Sequence, residues 1–135
     1  LFFDVNISHI SGNEALGTIN SGGYANNTTI QRIGNTIQFV RNSATQSAAT
    51  IVTSATIIVG RYKLVIAYKS GDTACFLNGT QVSTTQTQTF TNGTLSEVRI
   101  SGDAIGALPI GDTYNQLLIY NTRLTNAQLQ TLTTL

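Results

Sequence analysis

The strongest constraint in this chain of 135 residues is its punctuation. Pairs of turn-forming residues, Gly34-Asn35, Asn78-Gly79 and Asn92-Gly93, divide it into short runs rich in Thr, Ile, Val and Tyr. Gly and Asn reach positive φ at little cost, and the tight turns of β-hairpins require positive φ. Breaks this frequent leave no room for long helices, whereas short strands fit between them. The spacing predicts an all-β fold, an antiparallel β-sandwich of about eight to ten short strands.

The runs themselves support this reading. In FFDVNISHI, Phe3, Val5 and Ile7 fall on one face and Asp4, Asn6 and Ser8 on the other, as in a half-buried strand. Ser11 to Asn27 is glycine-rich and reads as loop with one short strand at LGTI. TTIQRIG and NTIQFVRN form a hairpin about Gly34-Asn35. IVTSATIIVGRYKLVIAYK holds one or two strands. In its second half Tyr62, Leu64, Ile66 and Tyr68 share a face, and Val65 and Ala67 lie opposite. Two apolar faces are expected of a central strand. Ser70 to Asp72 then turns the chain into TACFLNG, where Asn78-Gly79 is the clearest hairpin signal. TTQTQTF reads as a polar strand, and LSEVRISG points Val98 and Ile100 inward with Glu97 and Arg99 as an exposed ion pair. A loop from Asp103 to Thr113 leads into the last strand, YNQLLIY. Tyr62, Tyr68 and Tyr120 belong to core strands in this scheme.

The tail changes character. Thr125 is a good N-cap, and Gln128 three residues on completes a capping box. Leu124 before the cap pairs with Leu129 as a hydrophobic staple, and Leu132 shares the face of Leu129. A two-turn helix is marginal alone. It has to be held by docking its leucines on the sandwich.

Charged residues make up only 10% of the chain, against about 25% in ordinary soluble domains. The formal net charge is +1 with no basic stripe, which excludes a nucleic-acid footprint and gives no support for membrane-surface attachment. The apolar run IVTSATIIVG is too short to insert across a bilayer. Cys75 is the single cysteine and reads as a small buried hydrophobe, so no intrachain disulfide forms. With His9 the only histidine, a Cys/His metal site is excluded by count. The acids Asp4, Glu14, Asp72, Glu97, Asp103 and Asp112 show no alternating cluster of the kind glycoside hydrolysis uses. The chain therefore reads as a non-enzyme. Its length suits one domain over residues 1–135. The start at Leu1 and the lack of Met suggest the C-terminal part of a longer protein.

A strand ending in Tyr120-Asn121, then Arg123, Leu124, Thr125, Gln128, Leu129 and Leu132, resembles the end of laminin-G-like, concanavalin A-like jelly-roll domains. GRYKLVIAYKSGDTACFLNGTQVST, with Asn78 and Gly79, resembles the hairpin of the same family. The likeness runs from Gly60 to Leu135 and departs from the family in two places. The usual Trp before the central strand is replaced near Tyr62, and the acid often found in the last helix is Gln128. The wording looks most like domains of bacteriophage tail fibres and other virion proteins. The resemblance implies a jelly roll displayed on an extracellular phage particle, a trimeric homo-oligomer, and a host-surface glycan or other virion proteins as partners. The alternatives are a capsid-decorating or fibre-spacing structural domain, and a secreted bacterial adhesin or carbohydrate-binding module.

Sugar sites combine an aromatic platform with amide partners. Tyr24 beside Asn26 and Asn27 in the glycine-rich segment, and Tyr114 at the end of the loop, are the candidates, with plain anchoring roles as the alternative for each tyrosine. Related domains hold calcium at one rim of the sandwich. Asp103 and Asp112 flank one loop and are either its ligands or turn residues bonding their own backbone.

Overall fold

The structure, a computed structural model, describes residues 1–21, 26–42, 50–83, 96–101 and 111–135. Among these residues the chain forms β1 (Phe2–Ile7), β2 (Asn13–Asn20), β3 (Asn27–Ile33), β4 (Thr36–Asn42), β5 (Thr50–Thr56), β6 (Gly60–Lys69), β7 (Asp72–Leu77), β8 (Thr80–Gln81), β9 (Glu97–Ile100), β10 (Thr113–Leu118) and α1 (Asn126–Thr133). Two five-stranded antiparallel sheets result, ordered β10-β1-β6-β7-β8 and β5-β4-β3-β2-β9. This is the expected sandwich with a short C-terminal helix.

The alternation of β1 sends Phe3, Val5 and Ile7 between the sheets. There they meet Leu64 and Ile66 of β6 and Leu16, Ile30 and Phe39 of the facing sheet. Tyr62 and Tyr68 pack against the same core. The opposite face of β6 is apolar for a different reason. Val65 and Ala67, with Phe2, Ala74 and Phe76, lie outside the sandwich, and Leu129 of α1 covers them with Leu118, Leu124 and Leu132 alongside. Burying one such leucine contributes about 1.5–3 kcal/mol, which is what a helix this short requires.

Both predicted devices hold the helix. Thr125 caps it, with the reciprocal Gln128 contact of the capping box. Asn78 and Gly79 take φ of 47° and 78°, closing the β7–β8 hairpin. The same turn meets the helix end: Gly79 N donates to Thr133 Oγ1 at 3.1 Å, and Asn78 Oδ1 accepts from Lys63 N at 2.8 Å.

Three expectations change. The LGTI strand extends over the eight residues of β2, because Gly17 is a packing residue and no breaker. Asn27 opens β3 and is 2% exposed, so it is no loop residue. IVTSATIIVGRYKLVIAYK holds two strands, as expected; β5 and β6 lie in different sheets, and Tyr62 Oη clamps the crossing by donating to Ile58 O and accepting from Ile58 N. Val98 and Ile100 are 40% and 49% exposed. Their register opposite Ile19 and Gly17 turns them toward the interior side, but β9 is an edge strand and they overhang the packed core. The Glu97–Arg99 pair forms as expected, at 2.8 Å. TTQTQTF, the Asn92-Gly93 turn and residues 103–110 lie outside the described residues.

Candidate functional site

Strand β10 ends at Leu118, which packs beside the helix cluster. Ile119 and Tyr120 then leave the sheet and are 50% and 40% exposed. The expectation of Tyr120 as a core-strand residue is thus corrected: the strand stops two residues earlier, and the chain must turn outward to reach the helix.

Arg123 holds this outward segment in place. Its side chain is 9% exposed. Nη2 donates to Asp72 Oδ1 at 2.8 Å and to Asn126 Oδ1 at 2.7 Å, and Nη1 donates to Leu124 O. Asp72 follows the Gly71 turn between β6 and β7, and Asn126 begins α1. One guanidinium therefore fixes the strand-to-helix link against a hairpin distant in sequence.

A groove of about 710 Å³ lies between that link and the end of β6. Tyr68, Lys69, Tyr120, Asn121 and Thr122 line it together with apolar side chains, and no carboxylate does. Lys69, Asn121 and Thr122 are exposed, and the Lys69 ammonium makes no ion pair among the described residues. The volume lies within the range of small-molecule clefts. Tyr120 also lines a second, shallower groove of about 500 Å³ with Leu124, Ala127, Gln128, Thr131 and Leu132.

The sequence-predicted residues that are described sit elsewhere. Tyr114 packs edge-on against Phe3 at 5.8 Å, and its hydroxyl donates to Leu16 O at 2.6 Å. Burial pushes that phenol well above its ordinary value. Of the two readings for Tyr114, these contacts are those of an anchor joining the sheets. Asn26 is half-buried, and its carbonyl accepts from Ser21 N. Asn27 stands between Asn20 and Asn42 in directly opposed register across three strands. Tyr24 and Asp103 lie outside the described residues. The Asp112 carboxylate is fully buried, and Oδ1 accepts from Ser8 N at 2.8 Å and Ser8 Oγ at 2.9 Å. Its bonds therefore tie the start of β10 to the end of β1. Among the described residues no group of three His, Cys, Asp or Glu side chains is arranged to hold a metal ion.

Sequence reasoning missed the groove and one buried charge cluster. Arg32, fully buried, pairs with Glu14, whose other oxygen lies 2.6 Å from His9 Nε2. Arg32 Nη1 also donates to Ser11 O and Gly34 O. The signal was present, since alternation along β3 sets Arg32 on the same inward face as Ile30. For the groove no local signal exists. Lys69 and Asn121 are far apart in sequence, and the insertion of β1 between β6 and β10 brings the end of β6 and the segment after β10 to one end of the sheet.

Solved structures with this fold include the CBM40 of the Ruminococcus gnavus IT-sialidase, a carbohydrate-binding module, and the same module bound to α2,3-sialyllactose. Each aligns at a TM-score of 0.69 and 14% identity, covering 98% of this chain and 80% of that chain. At that identity the likeness is one of fold, a β-sandwich. No protein-family model and no curated protein matches the chain.

Proposed function

We propose that this chain is a non-enzymatic glycan-binding module and that the groove beside Tyr120 receives the sugar. The observation that carries this reading is the exposed Tyr120 ring placed among Lys69, Asn121 and Thr122 on a rigidly held segment. An aromatic face stacks on the C–H face of a pyranose, while amide, hydroxyl and ammonium groups exchange hydrogen bonds with its hydroxyls. Hydrolysis would need two carboxylates across the scissile bond, and the groove lining contains none. Each described carboxylate is held by a partner: Asp4 by Arg61, Glu14 by Arg32, Asp72 by Arg123, Glu97 by Arg99 and Asp112 by Ser8.

A single open groove of this kind binds weakly, and repeated copies supply avidity. That need suits a trimeric fibre on a phage particle, the context suggested by the resemblance of Ala67–Lys69, Gly71-Asp72, Leu77–Thr80 and Leu124–Gln130 to tail-fibre and other virion domains, with a host-surface carbohydrate as ligand. The likeness in fold to a bacterial carbohydrate-binding module supports a secreted bacterial module equally. The binding chemistry is the same in both settings.

The test is a glycan array and a cell-binding assay with the chain clustered on beads. Tyr120→Ala is expected to reduce binding at least tenfold, about 1.4 kcal/mol, with melting temperature preserved. A folded, clustered sample that binds no glycan would overturn the reading in favour of a capsid-decorating or fibre-spacing role.

A further inference from the structure

We infer that the second groove, between Tyr120 and α1, is a subsite for an N-acetylated sugar. The inference rests on the glycan-binding reading and names the chemistry of the ligand. It begins with the capping box. Thr125 N donates to Gln128 Oε1 at 2.9 Å. A backbone N–H only donates, so the atom it faces is the amide oxygen. The orientation of the Gln128 amide is thereby settled, and its NH₂ group takes no part in the cap. That group has no partner among the described residues. A helix cap has fixed a hydrogen-bond donor at the margin of a groove.

Most of the remaining lining is apolar. Leu124 and Leu132 are half-buried and Ala127 is exposed. Thr131 Oγ1 uses its proton on Ala127 O at 3.0 Å, which leaves its two lone pairs to accept. An acetamido group carries a methyl, a carbonyl oxygen and an N–H. The three leucine and alanine side chains suit the methyl, Gln128 Nε2 suits the carbonyl, and Thr131 Oγ1 suits the N–H. A plain hydroxyl in the same place would lose water against apolar carbon and gain one bond. Tyr120 lines both grooves, so a second sugar unit joined to the first reaches Lys69, Asn121 and Thr122. The ligand is therefore an oligosaccharide of two or more units, with the N-acetylated unit beside the helix.

The experiment uses N,N′,N″-triacetylchitotriose (hereafter chitotriose) and cellotriose, which differ in the 2-acetamido group, against the bead-clustered chain. Chitotriose is expected to bind about tenfold tighter, the order of one well-made hydrogen bond plus a buried methyl. Gln128→Glu keeps the acceptor of the capping box but removes the donor, and Ala127→Gln fills the groove from an exposed helical site. Each is expected to erase the preference while the chain stays folded. Equal binding of the two sugars, or a preference that survives both variants, overturns the subsite and leaves the Tyr120 reading standing. Failure of the parent chain to bind either sugar or any array glycan overturns both.

Discussion

The ring of Phe3 occupies the space that any side chain at residue 17 would need: a Cβ on Gly17 would stand 2.2 Å from Phe3 Cζ. Gly17 lies at the β-bulge of β2, on the inward face opposite Ile30. A glycine inside a strand marks such a close approach. Gly17→Ala is expected to cost about 1–3 kcal/mol by overpacking, read as a lower midpoint in urea. Phe3→Leu in the Gly17→Ala background should recover part of that loss. Strict additivity of the two changes would show that the clash is relieved elsewhere.

Glu14 neutralises a guanidinium with no access to solvent. Removing one partner of a buried pair strands the other charge, at about 3–5 kcal/mol. Glu14→Gln should therefore destabilise the fold strongly, and adding Arg32→Met should restore much of the loss because both charges then go. Chemical denaturation of the three variants decides this. A double variant no better than Glu14→Gln would mean that the backbone bonds of Arg32 to Ser11 and Gly34 matter more than the ion pair.

Asp4 is 3% exposed and receives two bonds from Arg61, at 2.9 and 2.6 Å, and one from Asn115 at 3.0 Å. The Arg61 hydrogen bonds hold its carboxyl down to about 2 from an ordinary 3.8, against the opposing effect of burial and with help from Asn115. A depressed folded pKa means that the contribution is complete above the unfolded value and is lost as pH falls through the folded one. The melting temperature should thus fall between about pH 4 and pH 2. Asp4→Asn should be less stable at pH 7 and show a shallower fall over that window. Parallel curves for parent and variant would remove Asp4 from the acid response.

Cys75 lies fully buried on β7, and burial pushes its thiol up to about 12. The thiolate is the reactive form. At pH 7–8 the folded chain should resist an aromatic disulfide reagent and release one equivalent only after denaturation. Rapid labelling of the native chain would mean that the sandwich opens locally around β7.

Much of this molecule is legible in its sequence because the relevant forces are local. The Asn78-Gly79 hairpin follows from positive φ, the capped helix from one side chain meeting one backbone N–H, and the inward set of β1 from simple alternation. Tyr120, Leu124 and Gln128 could be singled out by pattern, yet their pattern spoke only of structure. The second apolar face of β6 and the docking of α1 on the sandwich were both visible, but not that the one meets the other, since a two-residue period says nothing about what lies above a sheet.

What the sequence determined by itself was the set of strands that pair through adjacent turns, the helix and its cap, and the low charge of the chain. Tertiary structure alone decided the rest. It placed β1 between β6 and β10, so that Lys69 and Tyr120 border one groove. It set Phe3 against Gly17 and brought Arg32 to Glu14. These relations join residues from distant parts of the chain. Turn chemistry and alternation act over a few residues, while sheet order is settled by the packing of the two sheets around one core.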